Sequence, residues 1–231
     1  MTEESLTSTE DHDVNQKTDE HANNFSSVPY NSNWVTITGE ILNIDWKTKN
    51  VADVGSGSGL STFDLAEHAS FVVGIESEDV IRNLAIEYAE KRGIKNVEFV
   101  KGLPHKTSLN SNSMDVVIGF ASPIDYKEST RIIKRDGVII SITVLPKLYS
   151  EGLDSITIGK KRNSEAEREA YKNLVDLNFK HKEFYQIQEY GSPQNVIETY
   201  WSLFDEKAIE HIKNHNKTSI KWKWIVYYKK V

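Results

Sequence analysis

The segment Val51-Ala52-Asp53-Val54-Gly55-Ser56-Gly57-Ser58-Gly59-Leu60-Ser61 restricts the fold more than any other part of this chain. An apolar run stops at three alternating glycines, and a helical pattern follows at once. Glycine lets the backbone turn sharply and lets a ligand approach main-chain amides with no Cβ in between. The start of the following helix adds further exposed amides. Such a loop is informative only in a strand–loop–helix context, so the periodicity around it decides what it means.

That periodicity is an alternation. Trp34 to Asp45 carries Ile37, Ile41, Leu42 and Ile44 near helical spacing, with Gly39 as its weak point. Val51–Val54 reads as a strand, Leu60–His68 as a helix and Phe71–Ile75 as a second strand. Asp79–Arg92 reads as a helix with Val80, Ile81, Leu84 and Tyr88 on one face, stopped by Gly93. Val97–Val100 and Asp115–Gly119 are the third and fourth strands. Ser122-Pro123 supplies an N-cap and an N1 proline for a helix running to about Lys134. Val138–Val144 is a fifth strand, so rich in Ile and Val that burial on both faces is expected. Strand–helix alternation of this kind implies a doubly wound, mostly parallel α/β sheet.

The second half is less regular. Ser164-x-x-Glu167 is a capping box for a helix reaching about Leu177, with Tyr171, Leu174, Val175 and Leu177 on its apolar side. His181–Tyr190 reads as a strand. Ser192-Pro193 caps a helix with Val196, Ile197, Tyr200, Trp201 and Phe204 on its apolar face, and Asp205 caps another ending near His215. Lys221–Tyr228 is the last strand. A helical excursion joins the two final strands, so antiparallel pairing is expected. Alternation of Trp222, Trp224 and Val226 with lysines suits a half-buried edge strand. Aromatics interleaved with bases also suit stacking on single-stranded nucleic acid.

Composition sets the outer limits. The 231 residues are 38% apolar and contain no cysteine, which excludes disulfides, thiolate metal sites and cysteine nucleophiles. No stretch approaches the ~20 apolar residues of a membrane span, and no secretory signal pattern opens the chain. A cytoplasmic protein is expected. Residues 1–24 hold seven acids and one base, which accounts for the whole net charge of -6 and leaves 27 of each sign elsewhere. Residues 1–24 therefore read as a disordered acidic tail. Residues 25–231 read as a single domain, divided into an N-terminal helical segment (25–50), a ligand-binding half (51–145) and a second half (146–231). That second half carries a helical insert (192–215). Tyr30 and Trp34, just before the first helix, suit a lid over the site. A charge-balanced core argues against a large nucleic-acid footprint.

The loop spacing selects among ligands. Dinucleotide folds prefer G-x-G-x-x-G, whereas this loop is G-x-G-x-G, and no lysine follows as in a P-loop. Asp53, inside the strand, suits a neutral or cationic ligand better than a pyrophosphate. Glu76 ends the second strand, 17 positions after Gly59. A carboxylate at that edge can accept both hydroxyls of a ribose, or simply cap the next helix.

Together these segments resemble the class I S-adenosylmethionine-dependent methyltransferases. VADVGSGSG is similar to their first motif and VVGIESED to their second strand with its ribose-binding acid. NVEFVKG and SMDVVIGF are similar to their third and fourth strands, and STRIIKRDGVIISIT to their helix–turn–strand. The resemblance covers about residues 34–145. It implies a Rossmann-like sheet, mostly parallel with an antiparallel final strand and helices on both faces, and S-adenosyl-L-methionine as cofactor. It places Asp53, Gly55, Ser56, Gly57 and Gly59 at the methionine and ribose end. It gives the ribose to Glu76 with Ser77 beside it, the adenine to the Gly102–Leu103 turn, and the border with the acceptor to Phe120 and Ala121. Two departures stand out. Leu103-Pro104-His105 occupies the turn where many relatives carry an acid for the adenine amine. Gly-Phe-Ala-Ser-Pro replaces the Asn/Asp-Pro-Pro-Tyr/Phe of many enzymes that methylate amino groups.

The implied chemistry is in-line displacement at a sulfonium methyl by a nucleophile of the acceptor. It demands positioning and desolvation more than a catalytic side chain. His105 and Tyr126 are weak candidates for a general base and read more readily as surface or packing residues. His211 and His215, at i and i+4, form a helix-end pair with no third ligand, so no metal is expected. A small-molecule acceptor is the leading expectation. The loop ASPIDYKE and the basic end resemble, at a distance, ribosomal RNA guanine methyltransferases. A non-catalytic protein retaining the cofactor pocket is the further alternative, and the glycine spacing argues against a nicotinamide enzyme.

Overall fold

The computed structural model describes residues 33–144, 172–200 and 206–231, with no side-chain description for residues 144, 186, 199, 200 and 221–223. The acidic tail, residues 25–32 of the expected lid, the Ser164 capping box and Asp205 lie outside the described residues, as do the side chains of Tyr200, Trp201, Trp222 and Phe204.

The chain begins with α1 (Trp34–Leu42) and a short 3-10 turn at Trp46–Thr48. It continues through β1 (Asn50–Val54), α2 (Leu60–Ala66), β2 (Phe71–Glu76), α3 (Asp79–Arg92), β3 (Val97–Lys101) and β4 (Met114–Phe120). Next come α4 (Tyr126–Ile132) and β5 (Ile133–Val144). Residues 172–176 are helical. The described chain closes with β6 (Lys180–Glu189), α5 (Pro193–Tyr200), α6 (Glu206–Asn214) and β7 (Ser219–Lys230).

The strands form one seven-stranded sheet in the order β3-β2-β1-β4-β5-β7-β6. All pairs are parallel except those of β7, which runs antiparallel to both β5 and β6. This is the Rossmann-like fold expected. The order reverses at β1, which has β2 on one side and β4 on the other. That reversal opens a crevice beyond the carboxyl ends of the strands, where ligands of such sheets bind.

Apolar residues on alternate positions feed two cores. One contains Val51, Val72, Val116, Ile140, Trp224 and Val226 under Trp34 and Leu42 of α1, Val196 and Ile197 of α5, and Ile212 of α6. The other contains Ala52, Val54, Val73, Val117 and Ile139 with Ile132 of α4, Leu174 and Phe179. Residues 138–143 are buried without a break, as a central strand covered on both faces requires. No helix among the described residues is long and apolar enough to cross a membrane.

Three expectations are corrected. β7 is an interior strand, because β6 pairs along its outer side over ten residue pairs, Lys180↔Tyr228 to Glu189↔Ser219. Trp224, Ile225 and Val226 are consequently buried on both faces of the sheet. The helix after β4 starts at Tyr126 rather than Ser122-Pro123. Its N-cap is Asp125, whose Oδ1 accepts from the Glu128 amide at 2.7 Å. α4 also ends at Ile132, and β5 begins at Ile133 with a register shift between the Met114 and Val116 pairings. Finally, α3 has its expected bounds but buries Ala85 and Ala89, with Val80 left 54% exposed. Small residues let α3 lie close to the sheet, where a leucine-width stripe would hold it off. Gly93 caps α3 in the left-handed conformation, as expected.

Candidate active site

Asp53, Gly55, Ser56, Gly57, Gly59, Glu76 and Ser77 converge at the carboxyl ends of β1 and β2. Gly55, Gly57 and Gly59 all have positive φ (74°, 55° and 94°), which explains glycine at each. Two of them also make close approaches. A Cβ on Gly59 would meet Phe63 at 2.7 Å and Phe99 at 2.9 Å, and one on Gly55 would collide with Ser122. That second contact seats the segment after β4 directly against the loop. A Cβ on Gly57 would meet nothing within 4 Å and so would project into open space. The Gly55 and Ser56 amides donate to Ile75 O at 2.8 and 3.1 Å, which locks the loop to the end of β2.

Glu76 is 9% exposed. Its Oε1 accepts from the amides of Ser77 (2.7 Å) and Glu78 (3.0 Å) and from Ser77 Oγ (3.2 Å). Its Oε2 accepts from the Gly57 amide at 3.0 Å. The carboxylate is therefore rigidly aimed, and Oε2, with one donor, retains lone-pair capacity for a ligand hydroxyl.

Asp53 is fully buried. Ser61 Oγ and Thr62 Oγ1, both from the first turn of α2, donate to its Oδ2 at 2.7 Å each. Its Oδ1 is buried without a hydrogen-bond partner, as is Ser56 Oγ in the loop. Burial pushes the carboxyl from the ordinary 3.8 up to about 6, against the lowering effect of the two hydroxyls, and Glu76 adds a further upward push. Ser61 and Thr62 did not stand out in the sequence. Two hydroxyls eight and nine positions after an in-strand acid were the available signal.

The remaining candidates fall around this centre. Gly102 donates to Glu76 O at 3.2 Å, which sets the start of the turn after β3 beside Glu76. Leu103, 44% exposed, pairs with Lys106 across that turn, and His105 is exposed on it. Phe120 closes β4 and lies in an aromatic stack, its ring 4.5 Å from Trp34 and 4.9 Å from Trp224. Trp34 Nε1 donates to Asp64 Oδ2 of α2 at 2.7 Å, so α1 is fastened to the helix that follows the glycine loop. Ala121 takes a left-handed backbone, φ 51°, while its amide donates to Ile142 O at 2.8 Å. Such strain costs about 1–3 kcal/mol and turns the chain sharply at the end of the strand. Tyr126 is engaged elsewhere, packed edge-on to Phe179 with Lys229 Nζ 4.7 Å from its ring centre. Hydrogen bonding with Lys229 draws its hydroxyl below the usual value.

The residues present fit S-adenosylmethionine. An unpartnered buried carboxylate oxygen suits the cationic methionine end. The open space at Gly57 admits a ligand against the loop, and Glu76 Oε2 can accept from a ribose. Among the described residues no group of three or more potential ligands gathers for a metal. The rings of His211 and His215 stack 4.1 Å apart.

Comparison with known proteins agrees with this geometry. Residues 46–192 match the family model described as a methyltransferase domain. The fold is similar to that of YcgJ from Bacillus subtilis, at 12% identity over 85% of this chain and 97% of that one, with a TM-score of 0.54. It is similar also to precorrin-6y C5,15-methyltransferase from Geobacter metallireducens, at 14% identity over 84% of this chain and 86% of that one, TM-score 0.51. A geranyl diphosphate methyltransferase solved with its substrate and sinefungin aligns at 15% identity over 84% of this chain and 78% of that one, TM-score 0.50. No curated protein matches the sequence. With the family model covering more than half its length, the chain belongs to the methyltransferase-domain family, as an enzyme with S-adenosylmethionine for its cofactor.

Proposed function

We propose that the protein transfers a methyl group from S-adenosylmethionine to a small-molecule acceptor. The observation that carries this reading is the pairing of the unpartnered Asp53 Oδ1 with the fixed carboxylate of Glu76 across a glycine loop open at Gly57. In this reading Asp53 faces the methionine ammonium, Glu76 Oε2 takes ribose hydroxyls, and the main chain of Gly102 and Leu103 borders the adenine. The bound cofactor supplies an electrophilic methyl on a sulfonium. The chain's own residues hold that methyl in line with the acceptor and keep water out, and no side chain here is required to take a proton. Phe120 and Ala121 form the border with the acceptor. Residues 146–231 supply the acceptor side, including the 192–215 insert.

Two features support a small acceptor. Outside the acidic tail the chain has 27 acids and 27 bases, without the basic excess that polyanion binding favours. The precorrin-6y and geranyl diphosphate methyltransferases, whose folds are similar, are named for small acceptors. The absence of a spanning helix among the described residues accords with work in the cytoplasm.

Calorimetric titration with S-adenosylhomocysteine tests the cofactor site, on the intact protein and on Glu76→Ala. We expect binding to the intact protein and a loss of at least tenfold in the variant, from charge-assisted bonds worth about 1.5–3 kcal/mol each. Equal affinity in the two proteins would remove Glu76 from the site. An RNA mobility shift at low salt would overturn the small-acceptor reading.

A further inference from the structure

Thr107, Glu128 and Arg131 tie the segment after β3 to α4. Glu128 is 9% exposed. Its Oε1 accepts from the Thr107 amide at 2.8 Å, Thr107 Oγ1 at 2.7 Å and Arg131 Nη2 at 2.6 Å. Its Oε2 accepts from Arg131 Nε at 2.8 Å. Arg131 reaches on to Leu109 O at 2.9 Å through Nη2 and to Ser111 Oγ at 3.3 Å through Nη1. Glu128 also donates its own amide to the Asp125 cap at 2.7 Å, so it is fixed at the first turn of α4. The guanidinium and the Thr107 donors hold its carboxyl down at about 2, ionised across the working range of pH.

This tie begins one residue after the turn in which Leu103 and Lys106 exchange both backbone bonds, at 3.0 and 2.9 Å. The other end of the turn is held by Gly102, which donates to Glu76 O. A Cβ on Gly102 would meet Ile75 at 2.8 Å and the Thr107 Cα at 3.4 Å, so the two ends of the turn pack closely. The turn is thus pinned from β2 on one side and from α4 on the other.

The consequence rests on the cofactor reading above. The turn offers Leu103, Pro104 and His105, and no carboxylate to take a purine amine. Main-chain amides and carbonyls must do that work, and they cannot swing toward a ligand as a side chain can. Their selectivity depends on the turn holding its shape. We propose that Glu128 is a positioning residue for adenine selectivity: by fixing the Gly102–Lys106 turn to α4, it sets main-chain groups to distinguish a 6-amino from a 6-oxo purine. It acts through the turn and does not touch the cofactor.

The experiment compares S-adenosylhomocysteine with S-inosylhomocysteine by calorimetry. The proteins are the intact chain, Glu128→Gln, the milder Thr107→Val, and a control, Asp115→Asn. Asp115 also ties elements together, accepting from the Asn50 amide at 2.9 Å and Lys134 Nζ at 3.0 Å, but at the amino ends of the strands, away from the site. The intact protein should prefer the adenosyl compound by at least about tenfold, since a mismatched purine leaves polar main-chain groups unpaired. The preference should fall to near unity in Glu128→Gln and by about threefold in Thr107→Val. Asp115→Asn should keep it, whatever its melting temperature. An unchanged preference in both Glu128→Gln and Thr107→Val would overturn the proposal, as would an intact protein indifferent to the purine. If Glu128→Gln does not fold, Thr107→Val alone decides. Failure of the intact protein to bind either compound would remove the cofactor reading, and this inference with it.

Discussion

Asp53 sets stability against function within one side chain. Its carboxyl is raised to about 6 by burial, so the folded protein holds the proton more tightly than the unfolded chain does. A raised folded-state value gives a contribution fully present below pH 3.8 and lost as pH climbs through about 6. At pH 7.5 the ionised group then costs on the order of 2–3 kcal/mol. Asp53→Asn retains an acceptor for Ser61 and Thr62 and removes the charge. We expect its melting temperature to rise at pH 7.5, with no rise at pH 4. Cofactor affinity should move the other way. An ammonium facing Asp53 selects the ionised form, so S-adenosylhomocysteine should bind the intact protein less tightly as pH falls below about 6, by up to tenfold per unit. In Asp53→Asn that dependence should vanish and affinity at pH 7.5 should drop about tenfold, one lost charge-assisted bond. A variant destabilised at pH 7.5 would contradict this account.

At the scale of elements, Gly39 shows how packing overrides propensity. Alanine in a helix interior is favoured over glycine by about 1 kcal/mol, so α1 reads as weak at this point. In the structure a Cβ there would lie 2.5 Å from Trp46 Nε1, which donates to Val35 O at 3.0 Å. Gly39→Ala should therefore lower the melting temperature despite its better propensity, because Trp46 must leave its bond to Val35. A rise would show that the indole has room to move. The same competition explains what the sequence discloses. The glycine loop, β1, β2 and the bounds of α3 were legible because each is set by neighbours a few residues away. The expected start of α4, Ser122-Pro123, is pre-empted because Ser122 packs against Gly55 and Ala121 turns the chain out of the strand. The partners of Asp53 and Glu128 were not legible, since each brings together groups from two elements.

For the whole molecule, the decisive feature is where β7 sits. Alternation along Lys221–Tyr228 describes a strand with two unlike faces, but strand order is a long-range property that no local pattern encodes. The structure inserts β7 between β5 and β6, with Val226 paired to Ile142 on one side and Lys182 on the other. Val226 is fully buried. Proline at an interior position removes a ladder amide, whereas an outer strand can accept it. Val226→Pro should leave no cooperative melt by circular dichroism, and a folded variant would contradict the interior placement.

This insertion also bears on the order of events during synthesis. The ribosome delivers β6 before β7, yet β6 has no place in the sheet until β7 lies against β5. Roughly 40 residues separate the end of one strand from the end of the other, about 2–8 s of elongation. For that interval the nascent chain exposes the open side of β5 and an unpaired β6 bearing Tyr185 and Ile187, both more than half exposed even in the finished fold. The glycine-loop half can close around its own strands while the other half waits. Cellular yield should consequently depend on what shields β6 during those seconds, more than on the stability of the completed protein.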